Sequence, residues 1–169
     1  LVIQMFAHGL CASGLFSLSG QLYERLHTRD LRERGGLWAR FTYLPPLLMF
    51  FAAALLGIPG TANFVGEFLI LLGAFKVVPV ITIIATSSLV LGGVYSLIMI
   101  HRALFGQPKS TEKLADLSGR ELTILLSLAA ALLFLGLYPQ PVLNVSAGAM
   151  SVIQQSYAPV AVSVPLLAP

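Results

Sequence analysis

Apolar residues run almost unbroken through four stretches of this 169-residue chain, at 1–23, 41–75, 77–101 and 122–144, and charged side chains gather between them. An α-helix rises about 1.5 Å per residue and the hydrocarbon core of a bilayer is about 30 Å thick, so each stretch is long enough to cross it. None alternates with the period of two that marks an outer-membrane barrel strand. The pattern predicts an all-α integral membrane protein, a polytopic helix bundle with about four spans.

The second stretch is too long for one simple span, since 41–75 as a straight helix reaches beyond about 50 Å. Its interruption is written as GIPGTANF at 57–64. Pro59 cannot donate a backbone hydrogen bond, Gly57 and Gly60 relax the backbone, and Thr61 or Asn63 can cap a helix that restarts. A discontinuous helix broken near 57–63 is therefore expected. Such breaks are tolerated at membrane depth where they line a cavity, and transporters build ion sites around them.

Glu67 is the only charged residue between Arg40 and Lys76, and it follows that break by one helical turn from Asn63. An ionisable group at such depth is expensive to keep unless it handles ions or protons. Burial and a nearby cation act on a carboxyl group in opposite directions, so moving one cation can load or unload a proton. The plain alternative is a structural Glu paired with a Lys or Arg elsewhere.

Composition agrees with the pattern: 57% hydrophobic, 10% charged and a mean hydropathy of +0.87 lie outside the soluble range. Charge then gives orientation. Arg25, Arg29, Arg32, Arg34 and Arg40 lie in 24–40, and Arg102, Lys109, Lys113 and Arg120 in 102–121, against Lys76 alone on the other side. The positive-inside rule makes both charged loops cytoplasmic and leaves the tail 145–169 on the non-cytoplasmic side. Interleaved acids weaken any basic patch, and no nucleic-acid partner is needed to explain the net charge of +3. From 122 onward no charge occurs; Pro139 and Pro141 are expected to end regular structure, and the tail to pack against protein or lie at the interface. The chain opens on Leu1 within an apolar run, without the marks of a signal peptide, and reads as the C-terminal piece of something longer.

The first helix places Gly9, Ser13, Ser17 and Gly20 near one face, a stripe expected to admit a neighbouring helix. His8, deep in the same span, is either a satisfied structural imidazole or a proton relay. The lone Cys11 has no partner for a disulfide or a metal site and reads as packing, and no metal or cofactor site is found in the chain. In the third helix hydroxyl groups can hold water or bond across helices, with packing the plainer role for most. Asn63, Thr86, Ser88, Tyr95 and His101 are the candidates for lining a proton path.

MFAHGLCASGLFSLSGQLYERLHTRD, GGLW, LGIPGTANFVGEFLILLGAF and YSLIMIHRALFG also resemble the antiporter-like subunit M family (subunit 4 in mitochondria) of proton-pumping NADH:quinone oxidoreductase, respiratory complex I. The resemblance runs to about Gly106 and more weakly to the end. It implies part of a fourteen-helix antiporter-like fold of two inverted five-helix repeats, with the broken helix of the second repeat present here. It assigns Glu67, from the GEF motif, to the proton exit path and His8, from the AHG motif, to the central hydrophilic axis, so that the two carry proton transfer. It implies a bacterial inner membrane, sister antiporter-like subunits as partners, and internal water. NADH, FMN, iron–sulfur clusters and quinone would then be bound by the rest of the complex, and this chain would carry no redox centre. A subunit of a multi-subunit sodium/proton antiporter or membrane-bound hydrogenase shares the fold, and a purely structural membrane anchor is the alternative of a different class.

Overall fold

The computed structural model describes residues 1–28, 36–105 and 114–157, and among them every regular element is a helix. In chain order these are α1 (Val2–Leu26), α2 (Leu37–Arg40), α3 (Leu44–Leu55), α4 (Ala62–Phe75), α5 (Pro79–Phe105), α6 (Gly119–Leu137) and α7 (Gln140–Tyr157). Three of them, α1, α5 and α6, are long and apolar enough to cross a membrane. The stretch 41–75 is divided between α3 and α4, of 12 and 14 residues. At about 18 and 21 Å neither spans a hydrocarbon core alone.

The core forms where α1, α3, α4 and α6 meet. The face of α1 that enters it is Ile3, Ala7, Cys11, Gly14, Leu18 and Leu22, a four–three spacing that keeps one stripe on a neighbour. Small residues set the approach: a Cβ on Gly14 would fall within 2.7 Å of the Phe51 ring, and one on Gly66 within 2.9 Å of the Gln4 backbone. A side chain at Gly136 of α6 would strike the backbone of Gly60, Thr61 and Ala62, so α6 lies directly on the break. The stripe of Gly9, Ser13, Ser17 and Gly20 is not the one that packs against the described helices. Gly9, Ser13 and Gly20 are exposed, and added Cβ atoms at Gly9 and Gly20 would meet nothing within 4 Å.

The end that carries Arg25 is tied by polar contacts. Arg25 pairs with Glu121 at 2.9 Å and donates to the carbonyls of Ala115 (2.8 Å) and Asp116 (3.1 Å). Ser118 and Glu121 form a capping box at the start of α6. The N-terminus of α3 has no cap of its own, and Pro45 and Pro46 follow Leu44 at once. Asp116 supplies one from outside the helix: its carboxylate accepts the backbone N–H groups of Thr42 (2.6 Å), Tyr43 (2.7 Å) and Leu44 (3.3 Å).

Two expectations about the last third need correction. The stretch 122–144 is not one helix: α6 stops at Leu137, and a further helix begins at Gln140. Pro139 does end α6, but Pro141 sits in the first turn of α7, where a missing N–H costs nothing. Helix α7 touches α1. The charged loops extend over residues outside the described ones, as does the tail from 158 on.

Candidate functional site

The break between α3 and α4 is built by local backbone chemistry. The last turn of α3 closes with the Leu56 N–H on the carbonyls of Ala52 and Ala53 and the Gly57 N–H on Ala54 at 3.1 Å. The chain then turns through Gly57 and Gly60, both at positive φ (69° and 97°), where a side chain is strained. Thr61 takes the cap position of α4, yet its hydroxyl donates backwards to the Ile58 carbonyl at 2.8 Å and caps nothing. Asn63 does not cap either. Fully buried, it donates to the Ala54 carbonyl at 2.9 Å and so stitches the two half-helices across the gap.

Glu67 lies one turn beyond Asn63 and is half-buried. One carboxylate oxygen accepts from Gln4 Nε2 of α1 at 3.4 Å. The other lies over the break, 2.5 Å from where a Cβ on Gly57 would stand. The carboxyl group is thus held between the glycine turn and a side chain from the antiparallel helix. His8 follows Gln4 by one turn of α1. Its imidazole is exposed among the described residues, on the flank of the core stripe next to Ala7.

The remaining sequence candidates do not join this cluster. Thr86 and Ser88 donate back to their own helix, to the carbonyls of Thr82 (2.8 Å) and Ala85 (2.6 Å). Tyr95 is exposed, and His101 packs against Phe105 at the far end of α5, ring centroids 5.9 Å apart. Cys11 is buried and reduced, its thiol on the Phe51 carbonyl at 3.1 Å, which suits a packing role. Among the described residues no three His, Cys, Asp or Glu side chains are grouped to hold a metal ion. Gln4 was missed. Its only signal was an amide four residues before His8, in the part of α1 that precedes Glu24 and Arg25.

Chemically, the cluster is a carboxyl group with an amide donor on one side, an imidazole nearby and a non-helical turn beneath it. A carboxylate so placed can take up and release a proton, and an imidazole has the ring nitrogens to pass one on.

Comparison with known proteins places these residues in a family. Residues 1–92 match the family described as NADH:quinone oxidoreductase/Mrp antiporter, TM. The chain is 63% identical over 155 residues to NADH-quinone oxidoreductase subunit M of Pseudomonas aeruginosa, covering 92% of this chain and 30% of that protein. It is 59% identical over 157 residues to the Escherichia coli K12 subunit M, covering 91% and 31%. NADH-ubiquinone oxidoreductase chain 4 of Marchantia polymorpha is 37% identical over 141 residues, covering 82% and 28%. The chain thus spans about a third of the length of these relatives. With Glu67, His8 and the glycine turn all inside the matched residues, the chain belongs to the NADH:quinone oxidoreductase/Mrp antiporter transmembrane family.

Proposed function

We propose that this chain is part of a proton-translocating membrane subunit of NADH:quinone oxidoreductase, and that Glu67 carries the proton in its half of the path. The observation that carries the reading is the position of the Glu67 carboxyl group, one turn past a helix break, over Gly57 and against Gln4. Keeping an ionisable group there costs free energy that a purely structural residue would avoid. His8 serves as the relay that exchanges protons with Glu67 along α1. Electron transfer from NADH through FMN and iron–sulfur clusters to quinone takes place in partner subunits, and sister antiporter-like subunits and lipid flank this one. The charged ends near Arg25 and Arg102 face the cytoplasm of a bacterial inner membrane.

The relatives named for NADH:quinone oxidoreductase favour this complex. The family description also covers Mrp antiporters, which makes an antiporter subunit the second reading. Identification of the co-purifying subunits separates the two. The test of Glu67 is proton uptake and NADH oxidation by the intact complex in vesicles. Glu67→Gln keeps shape but cannot ionise and should impair both while sparing assembly; Glu67→Asp, about one methylene short, should retain part of each. Wild-type rates in Glu67→Gln would reduce the carboxylate to a structural role.

A further inference from the structure

We propose that Gln4 is a positioning residue that holds Glu67 in both of its protonation states, its carboxamide turning over as the proton comes and goes. This rests on the reading of Glu67 given above. An ionised carboxylate only accepts hydrogen bonds, and the Gln4 amide group faces it as a donor at 3.4 Å. The neutral acid carries an O–H and needs an acceptor instead. Gln4 holds one in reserve: its Oε1 is buried and has no hydrogen-bond partner among the described residues. An unpaired buried acceptor costs free energy and calls for an explanation.

A half-turn about the last side-chain bond exchanges the amide's donor and acceptor ends, and rotation there is soft and nearly two-fold. The donor now on Glu67 and the unpaired oxygen would change places, and the acid O–H would donate to Oε1. Gly66 keeps the amide at this post, since any Cβ there would meet Gln4 Cα and Cβ at 2.9 Å and push α1 away. Asn63 makes the contrast. Its Oδ1 is also buried and has no partner among the described residues, but its amide nitrogen is fixed to the Ala54 carbonyl at 2.9 Å, so its turning would break the stitch between the half-helices.

The test uses the full-length subunit in the assembled complex, reconstituted into vesicles, with infrared difference spectra taken alongside proton uptake. The carboxyl band of Glu67 is identified by its loss in Glu67→Gln. Gln4→Met keeps length but has no donor and only a weak acceptor, and should lower proton uptake about three- to tenfold, the net worth of one ordinary hydrogen bond. It should also shift the Glu67 band to higher wavenumber as the acid loses its partner, and cause no further loss when added to Glu67→Gln. Gln4→His, whose imidazole offers one donor and one acceptor, should restore part of the uptake. Wild-type uptake and an unshifted band in Gln4→Met, with Glu67→Gln unable to pump, overturn this proposal alone. Wild-type pumping in Glu67→Gln overturns the reading beneath it. Loss of assembled complex in both Gln4 variants makes Gln4 a packing residue and also overturns the proposal; if only one assembles, an unshifted band in that one does so.

Discussion

Replacing Gly57 or Gly60 by Ala separates backbone strain from displacement of the Glu67 carboxyl group. Both glycines have positive φ, 69° and 97°, so Ala at either should cost about 1–3 kcal/mol of backbone strain. Only one new methyl meets the site. At Gly60 nothing lies within 4 Å, whereas at Gly57 the Cβ would stand 2.5 Å from the Glu67 oxygen, almost 1 Å short of the 3.4 Å at which ordinary contact begins. The carboxyl group must therefore move by about 1 Å, a misplacement that in a reacting site can cost about 100-fold in rate. Gly60→Ala should lower the thermal stability of the complex with proton uptake per assembled complex near wild type. Gly57→Ala should show a similar stability loss and an uptake reduced about 10- to 100-fold. Equal uptake in the two variants, each normalised to assembled complex, would refute the claim that the turn positions Glu67.

Three further outcomes follow from particular residues. His8→Met should assemble normally and lower the protons moved per electron, and full pumping in the intact variant would return His8 to packing. Cysteine-accessibility labelling should find positions near Arg32 and Gln107 open to the cytoplasm and one near Val78 open to the other side; labelling of all three from one side would contradict the orientation. Asp116→Asn should destabilise the chain by about 1 kcal/mol through loss of a charged cap on α3, read as a lower melting temperature. Burial pushes the Asp116 carboxyl up, but the N–H donors of Tyr43, Leu117, Thr42 and Leu44 outweigh it and hold the group below its ordinary value of 3.8. Its folded value being the lower one, its stabilisation is complete above the ordinary value and is lost as the pH falls through the folded one. The Asn variant should lack that part of the acid dependence; an unchanged acid limb would count against the cap.

The parts of this site that were legible in the sequence are those encoded locally. Pro59 with Gly57 and Gly60 announces the break because the loss of a donor and the tolerance of positive φ belong to those residues themselves. Glu67 stood out because no other charge lies within 41–75. What was not legible depends on register between distant segments. Gln4 meets Glu67 across 63 positions, and Asp116 caps α3 from more than 70 residues away, so no spacing rule could pair them. The small residues of α1 show the same limit: spacing picked out Gly9, Ser13, Ser17 and Gly20, while among the described residues it is Gly14 that packs, against Phe51. The start of α7 was missed because Pro139 and Pro141 were read only as stops, while a proline in a first turn begins a helix equally well.

The central claim is that the Glu67 carboxyl group itself carries the proton. It is tested most directly by the initial rate of proton uptake in vesicles holding the intact Glu67→Gln complex, measured together with NADH oxidation. On this account both should fall well below wild type while the amount of assembled complex stays the same; both at wild-type rates would contradict it.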